Sequence, residues 1–247
     1  MPRYKVLIEY DGTDFYGWQS QKNVITIQGE IEKALFKLSQ TKVKVYGASR
    51  TDKGVHAYGQ VAHFDINKDY TTNEIQGAVD YYLKPQKICI IAVEKVDNNF
   101  HARFSPKIKQ YTYKIINRIA QLALLKNRAW HIKEVLDTNA MTRASNYLVG
   151  TYDFSSFRAT GCQSSSAVKT IDLISVNKAN YEINITFVAK SFLYNQIRIM
   201  VGTLRDFGKG KFPPSYMQKI IKARDRKLAG ETAPGHGLYL DEISYHL

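Results

Sequence analysis

Charged and apolar residues alternate over 3–6 and an apolar run follows, so 3–9 reads as a strand, which Asp11-Gly12-Thr13-Asp14 ends. Ile27, Ile31, Leu35 and Leu38 then recur at helical spacing, with Thr26 placed to cap the helix. Strands are predicted over 42–48 and 60–66, a helix over 72–83 and a buried-type strand over 87–96. The order strand, helix, strand, strand, helix, strand is that of a split βαβ unit.

A second half begins after Phe104-Ser105-Pro106. A strand over 108–117 leads into a long connection, followed by a helix over 137–148. Strands over 168–177 and 181–189 come next, then helices over 194–207 and 215–223 and a last strand over 238–244. The two halves carry comparable elements without a residue-level repeat. The expected fold class is α+β: two similar split-βαβ-like lobes, 1–105 and 106–247. Each is expected to have a mainly antiparallel sheet with helices on one face, and an active-site cleft is expected between them.

Composition narrows the partners. The chain has 247 residues, 44% of them hydrophobic, which is enough for a sizeable core. Its net charge of +13 favours polyanions, leaving nucleic acid, an anionic membrane surface or an acidic protein in play. The charge is uneven: 101–118 holds five basic residues and no acidic one, and 205–227 holds eight against Asp206 and Asp225. With 17 Tyr and 11 Phe interleaved, nucleic acid fits well, because cations neutralise phosphate and aromatic faces stack on bases. Cys89, inside Ile88-Cys89-Ile90-Ile91, reads as a buried thiol, and neither it nor Cys162 has metal-ligand spacing. The start of the chain leads straight into a strand, and no apolar run reaches the length of a membrane span, so a cytoplasmic protein without a membrane partner is expected.

Candidate chemistry concentrates in Gly47-Ala48-Ser49-Arg50-Thr51-Asp52-Lys53-Gly54-Val55-His56-Ala57. Asp52 lies in a short polar turn beside Arg50, between two predicted strands. A carboxylate next to a cation stays ionised and can act as nucleophile or base; an Asp in a turn also commonly satisfies turn amides. His56, His63, His101, His131, His236 and His246 form no pair at zinc-binding spacing, so no metal is expected. Gly208-Lys209-Gly210-Lys211 lacks the phosphate-loop pattern and reads as a basic turn.

The Asp52 segment resembles the signature of the tRNA pseudouridine synthase A family, and the resemblance runs along the chain. Tyr10-Asp11-Gly12-Thr13 and Gly17-Trp18-Gln19 come first. Phe100-His101-Ala102-Arg103, Tyr111-Thr112-Tyr113 and Asp153-Phe154-Ser155-Ser156-Phe157-Arg158 follow. Phe192 through Arg198, Val201-Gly202, Ala233-Pro234 and Gly237-Leu238-Tyr239-Leu240 complete the set. The resemblance implies isomerisation of uridine to pseudouridine in the anticodon stem-loop of tRNA, at positions 38, 39 and 40. It also implies no cofactor and a homodimer.

By matching position, Asp52 is implied as the catalytic aspartate, with Arg50 and Thr51 as its motif neighbours. Tyr111 is implied to pack on the target base, Arg198 to pair with the catalytic carboxylate, and Leu238 to line the pocket. Ser49 and Lys53 depart from the commonest signature, and Lys53 is open to a phosphate contact or to solvent. Asp52 is open to three roles: attack on C1′, addition to C6, or removal of the C2′ proton. Two other readings stand beside the isomerase, a non-catalytic tRNA-binding protein or RNA chaperone and a nucleoside glycosidase.

Overall fold

The alternation at the start of the chain becomes β1 (Arg3–Tyr10), which buries Tyr4, Val6, Ile8 and Tyr10 on one face. The computed structural model describes residues 1–245. One compact unit comprises Met1–Lys107 with the strand residues from Tyr239; the other is Ile108–Leu238.

In the first unit β1 is followed by α1 (Ile27–Ser39), β2 (Tyr46–Gly47), β3 (His56–Asp65), α2 (Thr72–Leu83) and β4 (Ile88–Val96). The strands run β4-β1-β3 with antiparallel pairing, and β2 adds antiparallel to the other edge of β3. This is the split βαβ order that the sequence predicts. Thr26 caps α1 by accepting from the Gly29 amide at 3.3 Å. Thr71 and Glu74 form a reciprocal capping box at the start of α2, a device worth roughly 1 kcal/mol. α1 packs on α2, and α2 packs on β4.

The second unit contains β5 (Ile108–Asn117), β6 (Trp130–Ile132), α3 (Thr138–Asn146), β7 (Gly150–Asp153), β8 (Val168–Ile171) and β9 (Leu173–Ala179). It continues with β10 (Glu182–Ala189), α4 (Gln196–Gly208) and α5 (Tyr216–Ala223). β5, β10 and β9 form an antiparallel run, and β6 lies parallel to β5. β7 and β8 pair separately. α3 packs on α4 and β9. The architecture is α+β, mostly antiparallel sheet with helices.

β11 (Leu238–Ser244), which the sequence groups with the second lobe, pairs in parallel with the start of β3, Tyr239 opposite His56 and Leu240 opposite Ala57. β2 meets the far end of the same edge, at Ala62 and His63.

Three expectations need correction. The strand over 42–48 shrinks to β2, because the backbone of Val45 bonds to helix side chains: its amide donates to Glu32 at 3.0 Å and its carbonyl accepts from Gln28 at 3.2 Å. The strand over 168–177 divides at Asp172 into β8, paired with β7, and β9, paired with β10. Cys89 is exposed, since alternation along β4 turns Ile88 and Ile90 inward and Cys89 outward. Among the described residues no helix is long and apolar enough to cross a membrane. No group of three or more His, Cys, Asp or Glu among them is placed to hold a metal; His246 lies outside those residues.

Candidate active site

The turn between β2 and β3 carries Arg50, Thr51 and Asp52, and its backbone is held on both sides. Before it, the Ala48 amide donates to the Val61 carbonyl at 2.8 Å. The fully buried amide of Gln60 donates to the Ser49 carbonyl at 2.8 Å and accepts from the Ser49 amide at 3.3 Å. After it, the Val55 amide donates to the Asp52 carbonyl at 3.1 Å. Thr51 is buried and its hydroxyl lies 2.7 Å from that of Tyr10, while its carbonyl accepts from the Trp18 amide at 3.0 Å. Arg50 is exposed and Asp52 half-buried. A pinned main chain thus presents a carboxylate that a substrate can still approach.

The early motifs explain that rigidity. Gly17 has φ +88°, and a side chain there would bring its Cβ to 2.5 Å from the Thr51 carbonyl oxygen. A Cβ at Gly12 would lie 2.0 Å from the Val55 carbonyl oxygen. Both glycines let the 11–18 segment press against the Asp52 turn. The buried His56 ring faces this junction. Its Nδ1 lies 3.1 Å from the Gly12 amide and 3.1 Å from Asp11 Oδ1. It accepts from the first when neutral and donates to the second when protonated. Tyr239 stacks on the ring at 4.7 Å. Lys53 holds its ammonium 3.9 Å from the centroid of the Tyr16 ring, a cation–π contact that the sequence does not disclose.

Tyr111, Arg198 and Leu238 belong to the second unit. Tyr111 and Tyr113 share the buried face of β5. Tyr111 meets Phe192 edge-on at 5.5 Å. Tyr113 is fully buried, donates to the Pro234 carbonyl at 2.8 Å, and has its pKa pushed well up by that burial. Arg198, in the first turn of α4, donates through Nε to the Ala233 carbonyl at 2.7 Å and through Nη1 to Asn195 Oδ1 at 2.9 Å. Its own carbonyl accepts from the Ala233 amide at 3.0 Å. Ala233-Pro234 is therefore the shared anchor of Arg198 and Tyr113. Gly237 presses on the Tyr113 ring, where a Cβ would lie 2.6 Å from Cζ, and Leu238 follows with 6% exposure.

The structure gathers Arg50 and Asp52 in one unit, and Tyr111, Arg198 and Leu238 in the other. Sequence reasoning missed Tyr10 and Gln60 as supports of the turn, and Asn195 and Ala233 as supports of Arg198. A polar residue opening the predicted strand over 60–66 was the sign the sequence offered for Gln60; nothing in the sequence marked Ala233 as an acceptor.

The chain matches the tRNA pseudouridine synthase family over residues 6–105 and 144–246. Asp52, Arg198 and Leu238 fall within the matched stretches, and Tyr111 falls between them. The chain is 50% identical to tRNA pseudouridine synthase A of Ehrlichia canis over 244 residues, covering 98% of this chain and 100% of that protein. It is 47% identical to tRNA pseudouridine synthase A of Paramagnetospirillum magneticum over 245 residues, covering 99% and 96%. With the family matched over most of its length and relatives aligned end to end, the chain belongs to the tRNA pseudouridine synthase family, whose members are isomerases acting on RNA.

Proposed function

We propose that the chain isomerises uridine to pseudouridine in the anticodon stem-loop of tRNA, at positions 38, 39 and 40, with Asp52 as the catalytic carboxylate. The observation that carries this reading is the Asp52 turn: a half-buried carboxylate on a backbone held by Gln60, Tyr10 and the close approach of Gly12 and Gly17. Arg50 flanks the substrate beside it. Tyr111, Arg198 and Leu238 are assigned to uridine binding by the family resemblance. The reading includes a cytoplasmic homodimer, which sedimentation of the purified protein and cell fractionation test.

The reaction breaks the N1–C1′ bond and forms C5–C1′. C5 loses a proton and N1 gains one, so the atoms balance without an external reactant. No electrons change hands, and the chemistry asks for no redox cofactor. The target uridine must leave the stacked arm, at a cost of a few kcal/mol that stacking and phosphate contacts offset. The Asp52 carboxylate then attacks C1′, adds to C6 or removes the C2′ proton. A single carboxylate suits this internal transfer, whereas ordinary glycoside hydrolysis uses two.

The test is pseudouridine mapping on tRNA treated with wild-type protein or with Asp52→Asn. Loss of pseudouridine on the order of 10³-fold with tRNA binding retained supports the assignment. Wild-type protein that binds tRNA and leaves its uridines unchanged would favour a binding protein or chaperone. Stoichiometric free uracil would favour a glycosidase. Modification outside the anticodon arm overturns the substrate position.

A further inference from the structure

Phe100-His101-Ala102-Arg103 and the adjoining Phe104 take no part in holding the Asp52 turn, yet they build a second aromatic surface in the first unit. Tyr46 of β2 stacks on His63 of β3, with ring centroids 5.0 Å apart and planes 18° apart. His101 meets His63 at 4.6 Å and Phe104 at 4.4 Å. These rings grade from buried to open: His63 is 1% exposed, Tyr46 39% and Phe104 74%.

The surface is rigid. His63 Nδ1 accepts from the Ala102 amide at 3.2 Å, and the His101 carbonyl accepts from the Phe104 and Ser105 amides at 3.2 and 3.0 Å. Its rim is cationic. Lys44 holds its ammonium 5.1 Å from the Tyr46 centroid, and the Arg103 guanidinium lies 5.6 Å from that of Phe104. Both cations are exposed, while the nearby carboxylate of Asp65 is bound by Arg3 at 2.7 Å. A single exposed aromatic is ordinary, but Phe104 contributes little to a core and sits on a held turn among rings and cations. That combination of π-faces and positive charge matches single-stranded nucleic acid.

We propose that Tyr46, His101 and Phe104 form a stacking platform for an unpaired nucleotide of the RNA substrate, with Lys44 and Arg103 meeting its phosphates. The proposal rests on the chain's acting on tRNA. Tyr46 pairs with His63, three positions along β3 from the Gln60 that holds Ser49 at the start of the Asp52 turn, which is roughly 10 Å at the usual rise per residue and more than the spacing of neighbouring bases. The platform therefore holds a nucleotide other than the one presented to Asp52.

The experiment uses the full chain and an unmodified tRNA transcript. Phe104→Ala is expected to weaken tRNA binding about 10-fold, as loss of one base–aromatic stack does. The single-turnover rate at saturating tRNA should stay within about 2-fold. The indole introduced by Phe104→Trp should restore affinity and be quenched by tRNA, and not by a fully paired RNA duplex. Unchanged affinity in Phe104→Ala, or an unquenched indole at saturating tRNA, overturns the platform. So does a change in oligomer mass in place of a change in RNA affinity, which would mark a protein-docking surface. If the wild type forms no pseudouridine while Phe104→Ala still loses tRNA affinity, the catalytic reading fails and the platform stands.

Discussion

The hydroxyl groups of Tyr10 and Thr51 lie 2.7 Å apart in the interior of the first unit, one residue before Asp52. The pair ties β1 to the turn that the family resemblance marks as catalytic. Tyr10→Phe removes that bond and leaves the Thr51 hydroxyl buried without it. The expected cost is about 1–2 kcal/mol of stability, read by urea unfolding. Single-turnover pseudouridine formation should slow while tRNA affinity holds; an unchanged rate would show that the turn keeps its geometry without Tyr10.

Two glycines give a paired test of close approach. Gly17→Ala forces a side chain at φ +88° and 2.5 Å from the Thr51 carbonyl oxygen, and should destabilise the protein by more than about 1 kcal/mol. Gly77, on the exposed face of α2, has no atom within 4 Å of its would-be Cβ, so Gly77→Ala should stabilise by up to about 1 kcal/mol. Thermal unfolding of the two variants should move in opposite directions.

Arg198 reaches two acceptors at once, the Ala233 carbonyl and Asn195 Oδ1. A lysine ammonium lacks the planar fork that spans them. Arg198→Lys is therefore expected to lower kcat/KM for tRNA on the order of 10²-fold, although charge is conserved. Activity within 2-fold of wild type would mean that charge alone suffices.

Stability should fall in mild acid. Burial lowers the His63 pKa from the ordinary 6.5 to about 4, with repulsion from His101 and Arg3 adding to it and Asp65 opposing it. The unfolded chain takes up that proton more readily than the folded one. His63 thus contributes its full stability above about pH 6.5 and loses it as pH drops toward 4, up to about 3 kcal/mol. Burial also lowers the His101 pKa, in the same direction. Urea unfolding between pH 4.5 and 7 should show a shallower pH dependence for His63→Gln than for wild type.

Much of the fold was legible because local chemistry and tertiary packing agree. Thr26 caps the first helix, the second runs over the predicted residues, and the last strand has the expected bounds. The misreadings share a cause: a partner distant in sequence decides. Val43 and Val45 alternate as in a strand, yet α1 side chains satisfy the Val45 backbone. The run around Cys89 has no polar residue to show which positions face inward. The connection between β5 and α3 hides β6, whose three residues are too short for a periodic signal. At the candidate site, Asp52 stood out because its motif is contiguous. Its supports did not, because Tyr10 lies 41 residues from Thr51, and Gln60 lies 11 residues from Ser49 on the next strand.

The parallel pairing of β11 with the start of β3 has a consequence for biosynthesis. Tyr239 and Leu240 complete the edge of the strand that follows the Asp52 turn, and Tyr239 covers the buried ring of His56. A ribosome must translate the chain through Leu240 before that edge closes. While the nascent chain is still growing, the strand next to the turn lacks its parallel neighbour and His56 lacks its stacked cover. Assembly around the Asp52 turn is thus tied to the arrival of β11, and a truncated translation product ending before it would carry the Asp52 motif on an unfinished sheet.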